Sequence, residues 1–342
     1  MTAFAIIGCG KIAPRHAEQI GRVGKLTAVC DIDPLKAEAF GREFGATPYT
    51  SLADLLEKEK SLQVASICTP NYLHAPQSVQ CLQAGLHVLC EKPLAISVAD
   101  GEQMIKTATE TGNKLFVVKS TRYNPVIQSL KQALTEGRLG KIYSFQLSCF
   151  WNRPPAYYTG GWRGTLEKDG GTLFTQFSHY IDVLYWLLGE VKDCRTIRRN
   201  FAHEGAIAFE DTGVVILEMV NDAVGTINYS VNAFSKNMEI SLTLIGETGT
   251  VKVAGEYLNK LAYQDISGYR IEEPASGNPA NEYGFYKGSM SNHQAVYNNL
   301  MIALHDPDHP FTSGETGLKT VEIIEKIYTS GSDHTIHEAF SG

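Results

Sequence analysis

No uninterrupted apolar stretch in this sequence approaches the roughly 18 residues that a membrane-spanning helix needs, which argues against an integral helical membrane protein. The seven cysteines include no CxxC pair, and five of them (Cys30, Cys68, Cys81, Cys90 and Cys149) lie in apolar segments. They read as buried reduced thiols of a cytoplasmic protein, not as a disulfide frame or a metal site. A basic excess is missing too. The 30 Lys and Arg stand against 37 Asp and Glu, a net charge of −7, so neither nucleic acid nor an anionic membrane is expected as the partner of the whole protein. There is no internal repeat and no low-complexity tract. Met1 to Gly10 shows no basic leader or small-residue cleavage site and runs directly into a strand pattern. What remains is an ordinary globular composition, 43% hydrophobic and 10% aromatic over 342 residues, a length that suits two medium domains.

Short apolar runs at Phe4–Ile7, Leu26–Cys30, Val64–Cys68, His87–Cys90 and Leu115–Val118 alternate with amphipathic stretches. Runs of that length with helices between them predict strands buried on both faces of a parallel, doubly wound sheet. Ser51 and Ser97, each three residues before an aspartate, mark helix starts. After Tyr123 the rhythm changes to a helix over Val126–Glu136, a strand over Ile142–Phe150 and a helix over Gly171–Leu188. Strands without intervening helices then follow at Val214–Val220, Gly225–Val231, Glu239–Ile245 and Thr250–Val253, before a loop over Asp265–Ser289 and two helices, His293–Leu304 and Glu315–Tyr328. The expectation is an α/β Rossmann domain over residues 1–121, then an α+β domain over 122–342 built on a large, mostly antiparallel, open-faced sheet for substrate binding and oligomerisation.

Gly8-Cys9-Gly10-Lys11-Ile12-Ala13 directly follows the first strand and opens a helix, fitting GxGxxG/A. The first glycine permits a tight turn, the second lets a pyrophosphate approach the backbone, and the helix N-terminus offers N–H groups to the phosphates. Asp31 ends the second strand, 21 residues after Gly10. A carboxylate there hydrogen-bonds a ribose diol and repels a 2′-phosphate, so NAD is expected rather than NADP. Two further loops sit at strand C-terminal ends, Thr69-Pro70-Asn71-Tyr72-Leu73-His74 and Glu91-Lys92-Pro93, where ligands of such sheets bind.

These residues, with a helix opening Gly170-Gly171 and carrying His179-Tyr180-Ile181-Asp182, resemble the Gfo/Idh/MocA family of sugar and cyclitol oxidoreductases over essentially the full chain. The resemblance implies a cofactor site including Gly8, Gly10, Lys11, Ile12, Asp31, Thr69, Asn71, His74, Glu91, Lys92 and Lys119, and a cis bond before Pro93. Within the family, Leu115–Lys119, Phe150–Pro154, Tyr157-Tyr158, Trp162–Thr165 and Asp169-Gly170-Gly171 look like dehydrogenases that oxidise the 3-hydroxyl of a UDP-linked N-acetylglucosaminuronate in bacterial surface-polysaccharide synthesis. Where many members carry Asp four residues before the helical histidine, this chain has Thr175.

Oxidising a secondary alcohol needs a hydride acceptor, a base and a charge to steady the alkoxide. His179 is expected as the base and Lys92 as the charge. Leu173, Phe177, Ile181, Leu184 and Leu188 form an apolar stripe that leaves His179, with Gln176, on a different side of the helix. Between Lys114 and Lys168 nine Lys and Arg oppose only Glu136 and Glu167. Arg153 and Arg163 stand there among Trp151, Tyr157 and Trp162, chemistry suited to carboxylate, diphosphate and sugar or uracil rings. Arg153, Tyr157, Arg163 and Gln176, with Lys92 and His179, are therefore the expected substrate contacts. The remaining histidines (His16, His203, His293, His305, His309, His334 and His337) show no metal-ligand spacing, and no metal is expected. Two other readings are a dehydrogenase of a free cyclitol or monosaccharide and, from another class, an NAD(H)-binding sensor without turnover. A homo-oligomer, dimer or tetramer, is what the resemblance implies.

Overall fold

Three of the helices of the N-terminal half, those over Pro34–Phe44, Leu52–Lys58 and Val98–Thr111, are started by local side-chain caps. Asp33 accepts from the Leu35 and Lys36 amides ahead of Pro34, and Ser51 and Ser97 cap their helices through Asp54 N and Asp100 N. The computed structural model describes residues 1–159, 161–272, 277–282 and 287–330. Its first half runs β1 (Ala3–Ile7), α1 (Ala13–Val23), β2 (Lys25–Cys30), α2 (Pro34–Phe44), β3 (Thr47–Tyr49), α3 (Leu52–Lys58), β4 (Val64–Ile67), α4 (His74–Gln83), β5 (His87–Cys90), α5 (Val98–Thr111) and β6 (Leu115–Val117). All six strands are parallel, in the order β3-β2-β1-β4-β5-β6. The chain reverses direction across the sheet between β1 and β4, and the crevice at their carboxyl ends is where such folds bind ligands. The apolar runs did not announce β3. It is an edge strand with Pro48 at its centre, a residue tolerated there because one side of an edge strand has no ladder to complete.

The second half continues with α6 (Pro125–Thr135), β7 (Ile142–Phe150), the short α7 (Leu166–Asp169) and α8 (Ser178–Leu188). Then come β8 (Val191–Arg199), β9 (Thr212–Met219), β10 (Val224–Ser230), β11 (Glu239–Gly246), β12 (Gly249–Ala254), β13 (Lys260–Ile266), β14 (Ala280–Glu282), β15 (Lys287–Met290), α9 (His293–His305) and α10 (Gly314–Thr329). Seven strands form a mixed sheet, β13-β12-β11-β7-β10-β9-β8, in which β7 and β10 are parallel and every other pair antiparallel. The stretch expected as a loop over 265–289 contains the end of β13, all of β14 and the start of β15; its residues 273–276 and 283–286, like His334 and His337, lie outside the described residues.

Two features depart from the linear reading. The helix expected over Gly171–Leu188 opens with a π-helical turn at Leu173–Phe177. Thr172, Gln176 and His179 are about as buried as the apolar stripe, so the side of the segment that carries them is enclosed too, while Thr175, Tyr185 and Trp186 stay half-buried. The boundary at 121/122 is also crossed by the chain. Val296, Tyr297 and Leu300 of α9 pack with Phe4, Ile6 and Ile20, completing the core of the first sheet.

A buried ion cluster joins the halves. Asp182 on α8 receives Arg122 through both oxygens (2.7 and 2.8 Å) and Lys119 Nζ at 2.9 Å, while Thr320 of α10 bonds both Lys119 and Asp182. Burial alone would raise the Asp182 carboxyl, but Lys119 and Arg122 overcome it and hold the group at about 2. Asp182→Leu, which leaves two buried cations, is expected to cost roughly 3–5 kcal/mol in urea unfolding. Because the folded-state carboxyl lies below its ordinary 3.8, the stability it contributes is complete above pH 3.8 and lost as pH falls toward 2; acid titration of the unfolding midpoint checks this.

Candidate functional site

The glycine loop at the end of β1 has the shape a dinucleotide requires. Gly8 adopts φ +94, and a Cβ there would meet Thr69 Cγ2 at 2.8 Å and the Cys68 backbone at 2.9 Å, so no other residue fits. At Gly10 a Cβ would meet nothing within 4 Å, leaving the backbone open to an approaching phosphate. The N-terminus of α1 at Ile12 has no side-chain cap, so its first amides are not taken up by a neighbouring side chain. Asp31 accepts from the amides of Cys9 and Asp33, both at 2.9 Å, which fixes its carboxylate beside the loop. Lys11 stands near enough to Arg163 that, after burial, that charge lowers its amine. The residues present therefore fit NAD, with Gly8, Gly10, Lys11, Ile12 and Asp31 on one side of the crevice.

The loops after β4 and β5 are stitched together. His74 bridges the Thr69 and Pro93 carbonyls (2.9 and 2.7 Å). Asn71 donates to the Asp169 carbonyl and to Thr175 Oγ1, both at 2.9 Å, tying the loop to α7 and the π turn. The Lys92–Pro93 bond is cis. Lys92 Nζ donates to the Thr175 carbonyl at 2.9 Å, and burial, then Arg153 and Arg163, pull its amine down to about 8 against the opposing pull of Glu91 and Asp169. His179 is held well below its ordinary range by burial first and the Lys92 charge second, so its imidazole is neutral.

The four expected substrate contacts form one network. Arg153 Nε donates to Gln176 Oε1 at 2.7 Å, and Gln176 Nε2 donates to the Tyr157 hydroxyl at 3.0 Å. The Arg153 guanidinium lies over Trp151 and Tyr157, and that of Arg163 over Tyr157 and Trp162. Lys119 lies in the Asp182 cluster, behind His179.

Three groups were not foreseen. Asp169, fully buried, accepts from the Gly164 amide at 2.9 Å and from the Thr175 hydroxyl, placing a carboxylate beside the position where Thr175 replaces aspartate. His203 bonds Asp211 (3.1 Å) and the Arg153 carbonyl (2.7 Å), bracing that arginine from behind. His16 and His293 converge on Glu91 at 2.9 and 3.2 Å, a donor set also able to hold a metal ion. Residues 16, 91 and 293 are too far apart in the chain for any spacing rule to pair them.

Asp31→Ala is expected to weaken NADH binding about tenfold, the value of a charged hydrogen bond, and to strengthen NADPH binding. Fluorescence titration with both dinucleotides checks it; unchanged NADPH affinity would remove Asp31 from the discrimination.

Residues 2–119 match the oxidoreductase family with an NAD-binding Rossmann fold, and residues 127–252 match the GFO/IDH/MocA C-terminal domain. The WlbA dehydrogenase of Bordetella pertussis, solved with NADH and UDP-GlcNAcA, superposes with a TM-score of 0.88 at 34% identity over 97% of this chain and 96% of its own. The WlbA dehydrogenase of Chromobacterium violaceum, solved with the same two ligands, gives 0.87 at 35% identity over 96% and 93%. D-apiose dehydrogenase of Paraburkholderia graminis is 24% identical over 96% of this chain and 87% of its own length. Among the described residues no helix is long and apolar enough to cross a membrane. The glycine cradle, the Glu91-Lys92-Pro93 loop and both matched domains agree: the chain belongs to the Gfo/Idh/MocA family of NAD-dependent sugar oxidoreductases.

Proposed function

We propose that this enzyme oxidises the 3-hydroxyl of UDP-N-acetyl-2-amino-2-deoxy-D-glucuronate to the 3-keto sugar, in the cytoplasm, as a step of bacterial lipopolysaccharide O-antigen synthesis. The observation that carries the reading is the 34–35% identity, over nearly the whole of both chains, to two dehydrogenases solved with UDP-GlcNAcA. The Arg153–Gln176–Tyr157–Arg163 network beside Lys92 supports it, since a nucleotide-linked uronic acid brings both a carboxylate and a diphosphate for guanidinium groups to meet.

NAD bound along the β1 and β4 loops supplies the hydride acceptor. The chain's own residues handle the proton. The neutral His179 imidazole accepts a hydrogen bond from the alcohol and orients it. A second positive charge on His179 is disfavoured by its burial and by Lys92, whereas Lys92, at about 8, takes a proton readily in its amine form. We therefore assign the proton to Lys92, exchanging the two roles expected from the sequence; the ammonium so formed then faces the new carbonyl oxygen. Thr175 and Asp169 hold Lys92 in place through the Thr175 carbonyl and hydroxyl.

The outer face of the seven-stranded sheet is assigned to self-association. Register places Ile197, Val214, Ile216, Val224 and Ile245 on that face, each 43–56% exposed, while Val215, Leu217, Ile227 and Leu244 fill the opposite one.

Purified protein given UDP-GlcNAcA is expected to form enzyme-bound NADH and a 3-keto product, seen by absorbance and mass spectrometry; neither appearing would sink the substrate assignment. Lys92→Ala or His179→Ala is expected to slow hydride transfer roughly 10²- to 10⁴-fold with NADH still bound. A sensor without turnover would be indifferent to both changes. With Lys92 as the acceptor, kcat/KM rises with pH to a plateau above about 8. Ile216→Lys is expected to give a smaller assembly by light scattering.

A further inference from the structure

Glu91 adjoins the catalytic lysine, yet the proton transfer gives it no step. Its side chain is buried and both oxygens are engaged. Oε1 lies 2.9 Å from His16 Nε2 and 3.2 Å from His293 Nε2, and Oε2 accepts the Lys92 main-chain amide at 3.0 Å. The bonds behind it are ordered as well, with His16 Nδ1 2.8 Å from the Tyr297 hydroxyl and that hydroxyl 2.9 Å from Ser66 Oγ. A carboxylate offers only lone pairs, so an ionised Glu91 requires both Nε2 atoms to carry hydrogen. Burial keeps His16 neutral, which makes its Nδ1 an acceptor; Tyr297 donates to it, and Ser66 donates to Tyr297. Burial alone would raise the Glu91 carboxyl, but the two histidine donors bring it well below its ordinary range.

We propose that His16 and His293 are positioning residues for Lys92, orienting the Glu91 carboxylate so that one oxygen anchors the Lys92 backbone and the charge lies fixed behind the lysine. The two rings, edge to face at 5.1 Å, come from α1 and α9. The helix whose first turn receives the cofactor phosphates therefore also sets the lysine. The side chain of Lys92 faces Glu91 on its own loop, Arg153 and Arg163 from the connection after β7, Asp169 at the end of α7 and His179 on α8. Glu91 is the nearest fixed anion in that set along the chain, and removing its charge leaves the two guanidinium groups less opposed.

The inference rests on Lys92 being the proton acceptor, and its test includes a readout that needs no substrate. NADH-loaded wild type, His293→Leu, His293→Gln and Glu91→Gln are treated with acetic anhydride across pH, and the midpoint of Lys92 labelling is read by peptide mass spectrometry. Glu91→Gln is expected to move that midpoint down by about one unit, the effect of losing an adjacent opposite charge. His293→Leu should move it the same way and lower kcat for the UDP-sugar by about 10- to 100-fold with little change in KM or NADH affinity. His293→Gln, which restores an N–H donor, should recover kcat to within about threefold of wild type. An unchanged midpoint and kcat in His293→Leu would overturn the proposal. So would loss of kcat alongside a fallen melting temperature with no rescue by glutamine, or a stoichiometric divalent metal in wild type that His293→Leu lacks. If the midpoints move as expected while wild type turns over no UDP-sugar, the substrate assignment fails and the positioning role stands.

Discussion

A half-buried lysine held among charged neighbours where the two halves of the chain meet is the constraint on which the rest of this structure depends. Desolvation penalises an ammonium, and the enclosure around Lys92, with Arg153 and Arg163 added, brings its amine down to about 8. That enclosure needs contributions from both halves. The lysine stands on the loop after β5, its Nζ bonds the Thr175 carbonyl on the π turn, and the guanidinium groups come from the connection after β7. Neither half alone supplies those neighbours, so the chemistry and the packing of the halves are one requirement.

The same logic explains the density of buried charge around it. Asp182 with Arg122 and Lys119, Glu91 with His16 and His293, and Asp169 with Thr175 and Gly164 each place a carboxylate among donors, Glu91 and Asp169 acting on Lys92 and Asp182 on His179. A buried carboxylate persists only when its lone pairs are satisfied, and each of these is. Such clusters add little net stability over an apolar core. Asn71 and Lys92 tie the loops after β4 and β5 to Asp169 and to the π turn that precedes α8. The π turn belongs to the same design, since it carries the Thr175 carbonyl to Lys92 and the Gln176 amide to Arg153 just before the helix that bears His179.

The family resemblance and five of the six strands of the parallel sheet were legible in the residues, because short apolar runs and a glycine fingerprint are local signals with local physical causes. Five strands of the second sheet were legible to within about two residues for the same reason, down to the hairpin between β11 and β12, whereas the edge strands β8 and β13, largely polar and exposed, were not. The π turn was not, since a wider turn and a normal one share nearly the same apolar spacing. Nor was the partnership of His16, Glu91 and His293, whose members are joined only when α9 returns to pack on α1. Asp169 stood in plain sight before Gly170-Gly171, but nothing in its neighbours showed that it would face the lysine.

By itself, then, the sequence determined the cradle: Gly8, Gly10 and Asp31 need only a strand, a turn and a helix, all within reach of local propensity. It also determined which residue types were available for catalysis. Only the tertiary structure decided the proton affinities of Lys92 and His179, because these depend on burial and on neighbours distant in the chain, Arg153 and Arg163 for the lysine and Lys92 itself for the histidine. In water a histidine is the natural base and a lysine a permanent cation. In this enclosure the histidine is held neutral and the lysine lies near 8, which is the physical ground for the proposed exchange of their roles.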